Sequence, residues 1–247
     1  EPMYQPSALM AVRVAGGLLG RKSKQGFYDY SAAPKAGAPT IEVVRQPAPA
    51  SVWIADDDGG SDLAALLNSS GIKTSLGGTP GAKEVCLVTP LGEDCTAAAL
   101  RLNLDPARTV AVDMLGRFKG RYTAVKNPLT TPENLGIAVA ALSATVAPVT
   151  AINDSTGFVV QRLLAMIVNV GTRIAELRVA NPADIDTAVE LGLNYPKGPL
   201  ALGDSLGPAR VLTVLDNMQA LTRDPKYRAS GWLRRRAALG VSLRTPD

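Results

Sequence analysis

A chain of 247 residues, 46% apolar and 19% charged, has the material for one large or two small cored domains and is not disordered. It contains no histidine, which excludes every Ser-His-Asp or Cys-His nucleophile system, every imidazole-ligated metal site and any imidazole base working near neutral pH. The net charge of +4 gathers near the end, where Arg223, Lys226, Arg228, Arg234, Arg235, Arg236 and Arg244 stand with only Tyr227 and Trp232 as aromatic company, so this stretch reads as a solvated or phosphate-facing helix and not as a nucleic-acid surface.

The chain opens Glu-Pro-Met-Tyr, with no basic stretch ahead of an apolar one, and does not read as a signal peptide. In residues 31–50, Pro34, Pro39, Pro47 and Pro49 among alanines predict an extended linker around one apolar patch, Ile41 to Val44. From residue 51 to 152, short apolar runs alternate with helical patterns. Ser51 to Ala55, Ile72 to Leu76, Glu84 to Thr89, Thr109 to Leu115 and Tyr122 to Val125 predict strands; the pattern of Leu63, Leu66 and Leu67 and the run Asp94 to Leu102 predict helices. That alternation implies a parallel-sheet α/β unit. Cys86 and Cys95 are too few for a four-thiolate zinc site and form no disulfide framework, which points to a reducing compartment, the cytoplasm. The most apolar stretch, Ile137 to Ile152, carries Ser143, Thr145, Pro148 and Thr150 and is too short and too polar to cross a bilayer.

Residues 153–247 read as all-helical. Asp154, Ser155 and Thr156 are N-cap candidates, and Val159, Leu163, Met166, Val170, Ile174 and Leu177 fall at helical spacing beside an apolar neighbouring face of Val160, Leu164, Ile167 and Val168. A helix so apolar around its circumference is expected to be buried between others. Asn181-Pro182-x-Asp184 is a capped helix start, and Tyr195-Pro196-Lys197-Gly198-Pro199 a break before another helix near Leu200. Trp53 and Trp232 read as core or interface anchors. Glu1 to Ser7 is echoed 223 residues later by Asp224 to Ser230, with Met10 against Leu233, Arg13 against Arg236 and Gly17 against Gly240. This short repeat implies that the chain opens in the end of one unit and then holds a second, as the C-terminal part of a tandem protein.

Three collinear segments carry a family resemblance. Asp154-Ser155-Thr156-Gly157-Phe158-Val159-Val160-Gln161-Arg162-Leu163-Leu164 is similar to the D-x-P-G-F-I-V-N-R-L-L that opens the helical domain of L-3-hydroxyacyl-CoA dehydrogenases. Asp184-Ile185-Asp186-Thr187-Ala188 and Gly192 to Gly207 resemble that family's D-I-D-x-A and G-x-x-x-P-x-G-P-x-x-L-x-D-x-x-G. Gly20-Arg21-Lys22-Ser23-Lys24-Gln25-Gly26-Phe27-Tyr28-Asp29-Tyr30 resembles the G-R-K-x-G-x-G-F-Y-x-Y that closes such a domain. The resemblance implies residues 1–30 as the end of a first helical domain, 31–50 as linker, 51–152 as a degenerate Rossmann-like unit, and 153–247 as an all-α domain like the C-terminal domain of 6-phosphogluconate dehydrogenase. It further implies an acyl-CoA substrate, NAD as the hydride acceptor of the parent enzyme, a role in fatty-acid β-oxidation, and a homodimer through the helical domains.

The family uses a His paired with a Glu as base, and a Ser and an Asn near the substrate oxygen. Carried over onto this sequence, the His position holds Asp113, the Glu position Thr123, the Ser position Gly92 beside Leu91, and the Asn position Gln161. None keeps the family's residue, and an ordinary carboxylate at Asp113 is a far weaker base than imidazole, so no catalytic residue is expected here. Gln161 either lines a vestigial acyl pocket or caps a buried helix contact. Lys22 and Lys24 either face CoA phosphates or, the preferred reading, are exposed cations at a helix end.

A dinucleotide site needs G-x-G-x-x-G after its first strand. Here stands Asp56-Asp57-Asp58-Gly59-Gly60-Ser61, and the next strand ends at Leu76-Gly77-Gly78 without the ribose-binding acid. Residues 51–152 are therefore expected to bind neither NAD nor a metal ion, the acidic turn being solvated. The chain is expected to be a non-catalytic C-terminal half giving dimer contacts and acyl-CoA site walls; the alternative is a pure assembly module without ligand.

Overall fold

The computed structural model describes residues 6–31, 41, 43–116 and 120–247. The first five residues of the repeat and about half of the predicted linker lie outside these described residues. The chain divides into two compact units, Glu1–Thr40 and Ile41–Asp247. In the first, helix α1 (Ala8–Ala15) is capped by Ser7, whose hydroxyl accepts from the Leu9 N–H at 3.3 Å, and it buries none of its residues. A small turn structure follows, with Gly20 paired to Gln25 and Gln25 to Asp29.

The second unit begins earlier than a free linker would allow. Ile41 and Val43 pack against the core of the sheet, because an apolar patch next to an apolar layer is removed from water rather than left extended. The elements are β1 (Ser51–Ile54), α2 (Gly60–Ser69), β2 (Lys73–Leu76), β3 (Cys86–Val88), α3 (Cys95–Arg101), β4 (Thr109–Val112), β5 (Tyr122–Lys126), α4 (Pro132–Ser143) and β6 (Val149–Asn153). They build a six-stranded sheet of order β2-β1-β3-β4-β5-β6. Alternate residues of β1 bury on opposite faces: Val52 and Ile54 join Leu63, Leu67, Leu87, Val112, Tyr122 and Leu142, while Trp53 joins Cys86, Val88, Cys95, Val125 and Phe158. Both faces are covered, which is why the strands read as continuous apolar runs.

The sheet is mixed and not purely parallel. Its β4–β5 pair is antiparallel, with Ala111 opposite Val125. Only nine residues separate Val112 from Tyr122, fewer than a parallel crossover needs. Helix α4 and strand β6 lie where the sequence offered only an apolar stretch; Thr131 caps α4 and Pro132 starts it.

The helical part comprises α5 (Val160–Glu176), α6 (Pro182–Leu193), α7 (Pro199–Leu206), α8 (Pro208–Thr222) and α9 (Gly231–Leu239). Its core joins Ala165, Val168 and Ala175 of α5 to Leu200, Val211, Val214, Leu215, Met218, Trp232 and Leu233. The expectation that α5 is buried all round fails. Its buried side is lined by Ala165, Gly171, Thr172 and Ala175, small enough for α7 to sit against Gly171. The bulkier Leu163 is 58% exposed on the other side, with Ile167 and Val170 half-buried and Leu177, just past the helix end, 50% exposed. The D-I-D-x-A spacing has a local cause: Asp186 accepts from the Leu200 and Ala201 N–H groups at 2.8 and 3.1 Å and so caps α7, while Glu190 takes the Gly198 N–H at 2.7 Å. Among the described residues no helix is long and apolar enough to cross a membrane.

Candidate functional site

Strand β1 lies between β2 and β3, so the chain crosses back over it, and the crevice beyond the carboxyl ends of β1 and β3 is where a sheet of this kind offers a ligand site. The Ala55–Gly59 turn and the Thr89–Asp94 segment lie there, and the helical part closes over the second. The Gly157 N–H donates to the Glu93 carbonyl at 3.0 Å and the Asn217 side chain to the Leu91 carbonyl at 2.8 Å.

The positions carried over from the family meet here. The Gln161 carboxamide oxygen accepts from the Gly92 N–H at 2.6 Å, and its nitrogen donates to Asp113 Oδ1 at 3.2 Å and to the Pro90 carbonyl at 3.3 Å. Asp113 follows β4; its Oδ1 also accepts from the Gly116 N–H at 2.6 Å, and its own N–H donates to the Thr123 carbonyl on β5 at 3.1 Å. Asp113 and Gln161 are each 1% exposed, and among the described residues Asp113 Oδ2 has no hydrogen-bond partner. Burial pushes the Asp113 carboxyl above the ordinary carboxylate range against the pull of its bonds from Gly116 and Gln161. Gly92 has φ +73°, and a Cβ on it would lie 2.3 Å from the Val214 carbonyl oxygen of α8. The arrangement is a closed hydrogen-bonded knot between sheet and helical layer, to which Gly92 contributes its backbone N–H.

The acidic turn is ion-paired instead of merely solvated. Asp57 lies 3.4 Å from Arg101 of α3, and Asp58 lies 2.6 Å from Arg210 of α8. Arg101 also holds Glu93 at 2.8 Å. Beside the turn, Trp53, Asp56, Gly77, Gly78, Pro80 and Asn103 line a shallow cleft of about 370 Å³, across which the Trp53 indole donates to the Gly77 carbonyl at 2.7 Å. Among the described residues no group of three or more His, Cys, Asp or Glu side chains is placed to hold a metal ion. Burial pushes the free Cys86 and Cys95 thiols up to about 11 and about 12, so neither is a thiolate nucleophile at neutral pH.

Several partners had no local sequence signal. Asp154 caps α3 rather than α5: its carboxylate accepts from the Cys95 and Thr96 N–H groups at 2.7 and 2.9 Å, whereas α5 starts from Val159 with no side-chain cap. Arg210 and Asn217 reach the crevice from α8, more than a hundred residues from what they bind; no periodicity points to them. In the first unit Lys22 is exposed, and Arg21 lies over the Tyr30 ring with its guanidinium 5.9 Å from the centroid.

Residues 157–245 match the family described as 3-hydroxyacyl-CoA dehydrogenase, C-terminal domain. The chain is 32% identical over 240 residues to the 3-hydroxyadipyl-CoA dehydrogenase of Escherichia coli K12, covering 97% of this chain and 45% of that protein. It is 41% identical over 78 residues to a 3-hydroxybutyryl-CoA dehydrogenase of Clostridioides difficile, covering 32% of this chain and 28% of that protein. A crystal structure of a 3-hydroxybutyryl-CoA dehydrogenase from E. coli K12 matches with a TM-score of 0.72 and 31% identity, again over 97% of this chain and 45% of the other. The chain thus spans about half the length of the relatives that it matches from end to end. On these grounds residues 157–245 match the C-terminal domain of 3-hydroxyacyl-CoA dehydrogenases, and the chain as a whole is similar to dehydrogenases of that family.

Proposed function

We propose that this chain supplies the C-terminal, non-catalytic part of an NAD-dependent (S)-3-hydroxyacyl-CoA dehydrogenase, adding subunit contacts and a wall near the acyl-CoA site while chemistry and NAD belong to another part of the polypeptide. The observation that carries this reading is the closed knot: Gln161 bonds both Gly92 and Asp113, and Gln161 and Asp113 are each buried away from the crevice surface. Each polar atom of the Gln161 amide is engaged internally, which favours its role as a buried contact over an acyl pocket.

NAD does not fit the crevice. Its pyrophosphate needs backbone N–H groups at a glycine-rich turn, and here Asp57 and Asp58 stand there, already paired with Arg101 and Arg210. Dismantling those pairs to admit two more negative charges is opposed by Coulomb repulsion at short range. The chain alone is therefore expected to show no turnover of acetoacetyl-CoA with NADH. Activity that survives rigorous purification would overturn the proposal.

The half-exposed apolar side of α5, with Leu191 and Leu193 of α6 at 83% and 63% exposure, supports self-association through the helical part; the two free, buried cysteines fit a reducing, cytoplasmic setting. Light scattering is expected to give twice the 25.7 kDa chain mass, falling to the single mass in Leu163→Glu. A wild type that stays monomeric at tens of micromolar would rule out this interface.

A further inference from the structure

Helices α1 and α9 are built alike, residue for residue at the repeat's offset of 223. Ser7 and Ser230 are their N-caps, accepting from the N–H of Leu9 and of Leu233. Gly17 and Gly240 end them in the left-handed region, at φ +71° and +66°. The closing bonds also correspond: Leu18 N–H to the Arg13 carbonyl at 2.9 Å, and Val241 N–H to the Arg236 carbonyl at 3.1 Å, the 6→1 bond of a Schellman end. Arg13 lies 4.1 Å over the Phe27 ring and donates to the Gly26 carbonyl at 2.6 Å; Arg236 lies 3.2 Å over the Trp232 ring and donates to the Thr245 carbonyl at 2.7 Å.

They differ in what covers them. In α9, Trp232 and Leu233 are 4% and 0% exposed, inserted among Ala165 and Val168 of α5 and Val211, Leu215 and Met218 of α8. Their counterparts in α1, Leu9 and Met10, are 51% and 49% exposed. The opposite side of α9 carries Arg234, exposed but paired with Asp216 of α8, and Arg235 in solvent, and there α1 has Ala11 and Val12.

We infer that the Leu9–Met10 face of α1 is a docking surface for a helix pair of the α5–α8 kind, supplied by a second helical unit of the same polypeptide, which α1 closes as α9 closes the unit described above. This rests on the reading that residues 1–30 end a first helical domain. Docking in the α9 manner is specific to one face. Leu9 and Met10 go into the socket, Arg13 spans helix and following segment, and Val12, although 68% exposed and apolar, stays in solvent because Arg235 does.

The test compares Leu9→Glu/Met10→Glu with Val12→Arg in the natural polypeptide that contains residues 1–247, read by thermal unfolding, with the 247-residue chain alone as control. In the natural polypeptide the double variant is expected to lower a melting transition by roughly 10 °C, as two charges entering an apolar socket would, and Val12→Arg to leave it unmoved. In the 247-residue chain alone neither variant should shift the transition. A silent double variant in the natural polypeptide, a Val12→Arg loss as large as the double variant's, or a shift in the chain alone would overturn the inference. A natural polypeptide whose mass and sequence hold no second helical unit would instead overturn the reading beneath it.

Discussion

Replacing Gly92 by serine, the residue type that the resemblance implies for this position, lowers the melting temperature by roughly 10 °C instead of conferring activity. Two costs coincide. Gly92 sits at φ +73°, where a side chain costs about 1–2 kcal/mol, and the new Cβ would meet the Val214 carbonyl oxygen at 2.3 Å, with Val214 Cα at 2.7 Å. Overpacking of this kind costs about 1–3 kcal/mol more. Because the obstacle is backbone of α8, no rotamer change relieves it. Gly92→Ala should fall as far as Gly92→Ser, since the cost lies in the Cβ and not in the hydroxyl. Circular dichroism melts of both variants check this, and a serine variant within ~2 °C of wild type would show that α8 can yield.

Gln161→Glu is the second large effect. The glutamine nitrogen donates to Asp113 Oδ1 and the Pro90 carbonyl; a carboxylate there faces two buried acceptors, one of them a second carboxyl. Near neutral pH the loss is expected to be about 3–5 kcal/mol, as for other uncompensated buried charges. Asp113→Asn should recover part of it by turning a donor toward the new carboxylate, and acid should recover more. The wild type carries a milder form of the same dependence. Because burial raises the folded Asp113 value, stability tied to its neutral form is complete below the ordinary carboxylate range, near pH 4, and is lost as pH rises through the raised folded value. Asp113→Asn removes that decline. Urea titrations across pH would refute the assignment if wild type and Asp113→Asn ran parallel throughout.

Much of this could be read from residues near one another in sequence. The strands around Val52, Leu87 and Val110 showed as apolar runs because both faces of the sheet are covered, and Asn181-Pro182 announced α6 through its own cap. Motif frames brought Gly92, Asp113, Thr123 and Gln161 to notice, and the fold puts them in one neighbourhood. What escaped is long-range. The Arg210 and Asn217 contacts depend on how α8 lies over the sheet. The capping role of Asp154 went unseen because its α3 partners precede it by nearly sixty residues. The exposure of Leu163 escaped too, since an apolar circumference does not say which of its sides the chain's other helices cover.

The Asp154 cap bears on how such a protein can be remodelled. By chain order the residue belongs with the helical layer, yet its carboxylate finishes a helix of the sheet, and Phe158 four residues on is packed into the sheet's core. A recombination event that exchanged the helical layer at the end of β6 would make α3, which has Asp94 as its own N-cap, depend on the incoming segment for its second anion, and the sheet's core depend on it for a phenyl ring. The inheritable module therefore runs past the last strand into the start of α5, and chimeras between relatives should be cut after Gln161 rather than before Asp154.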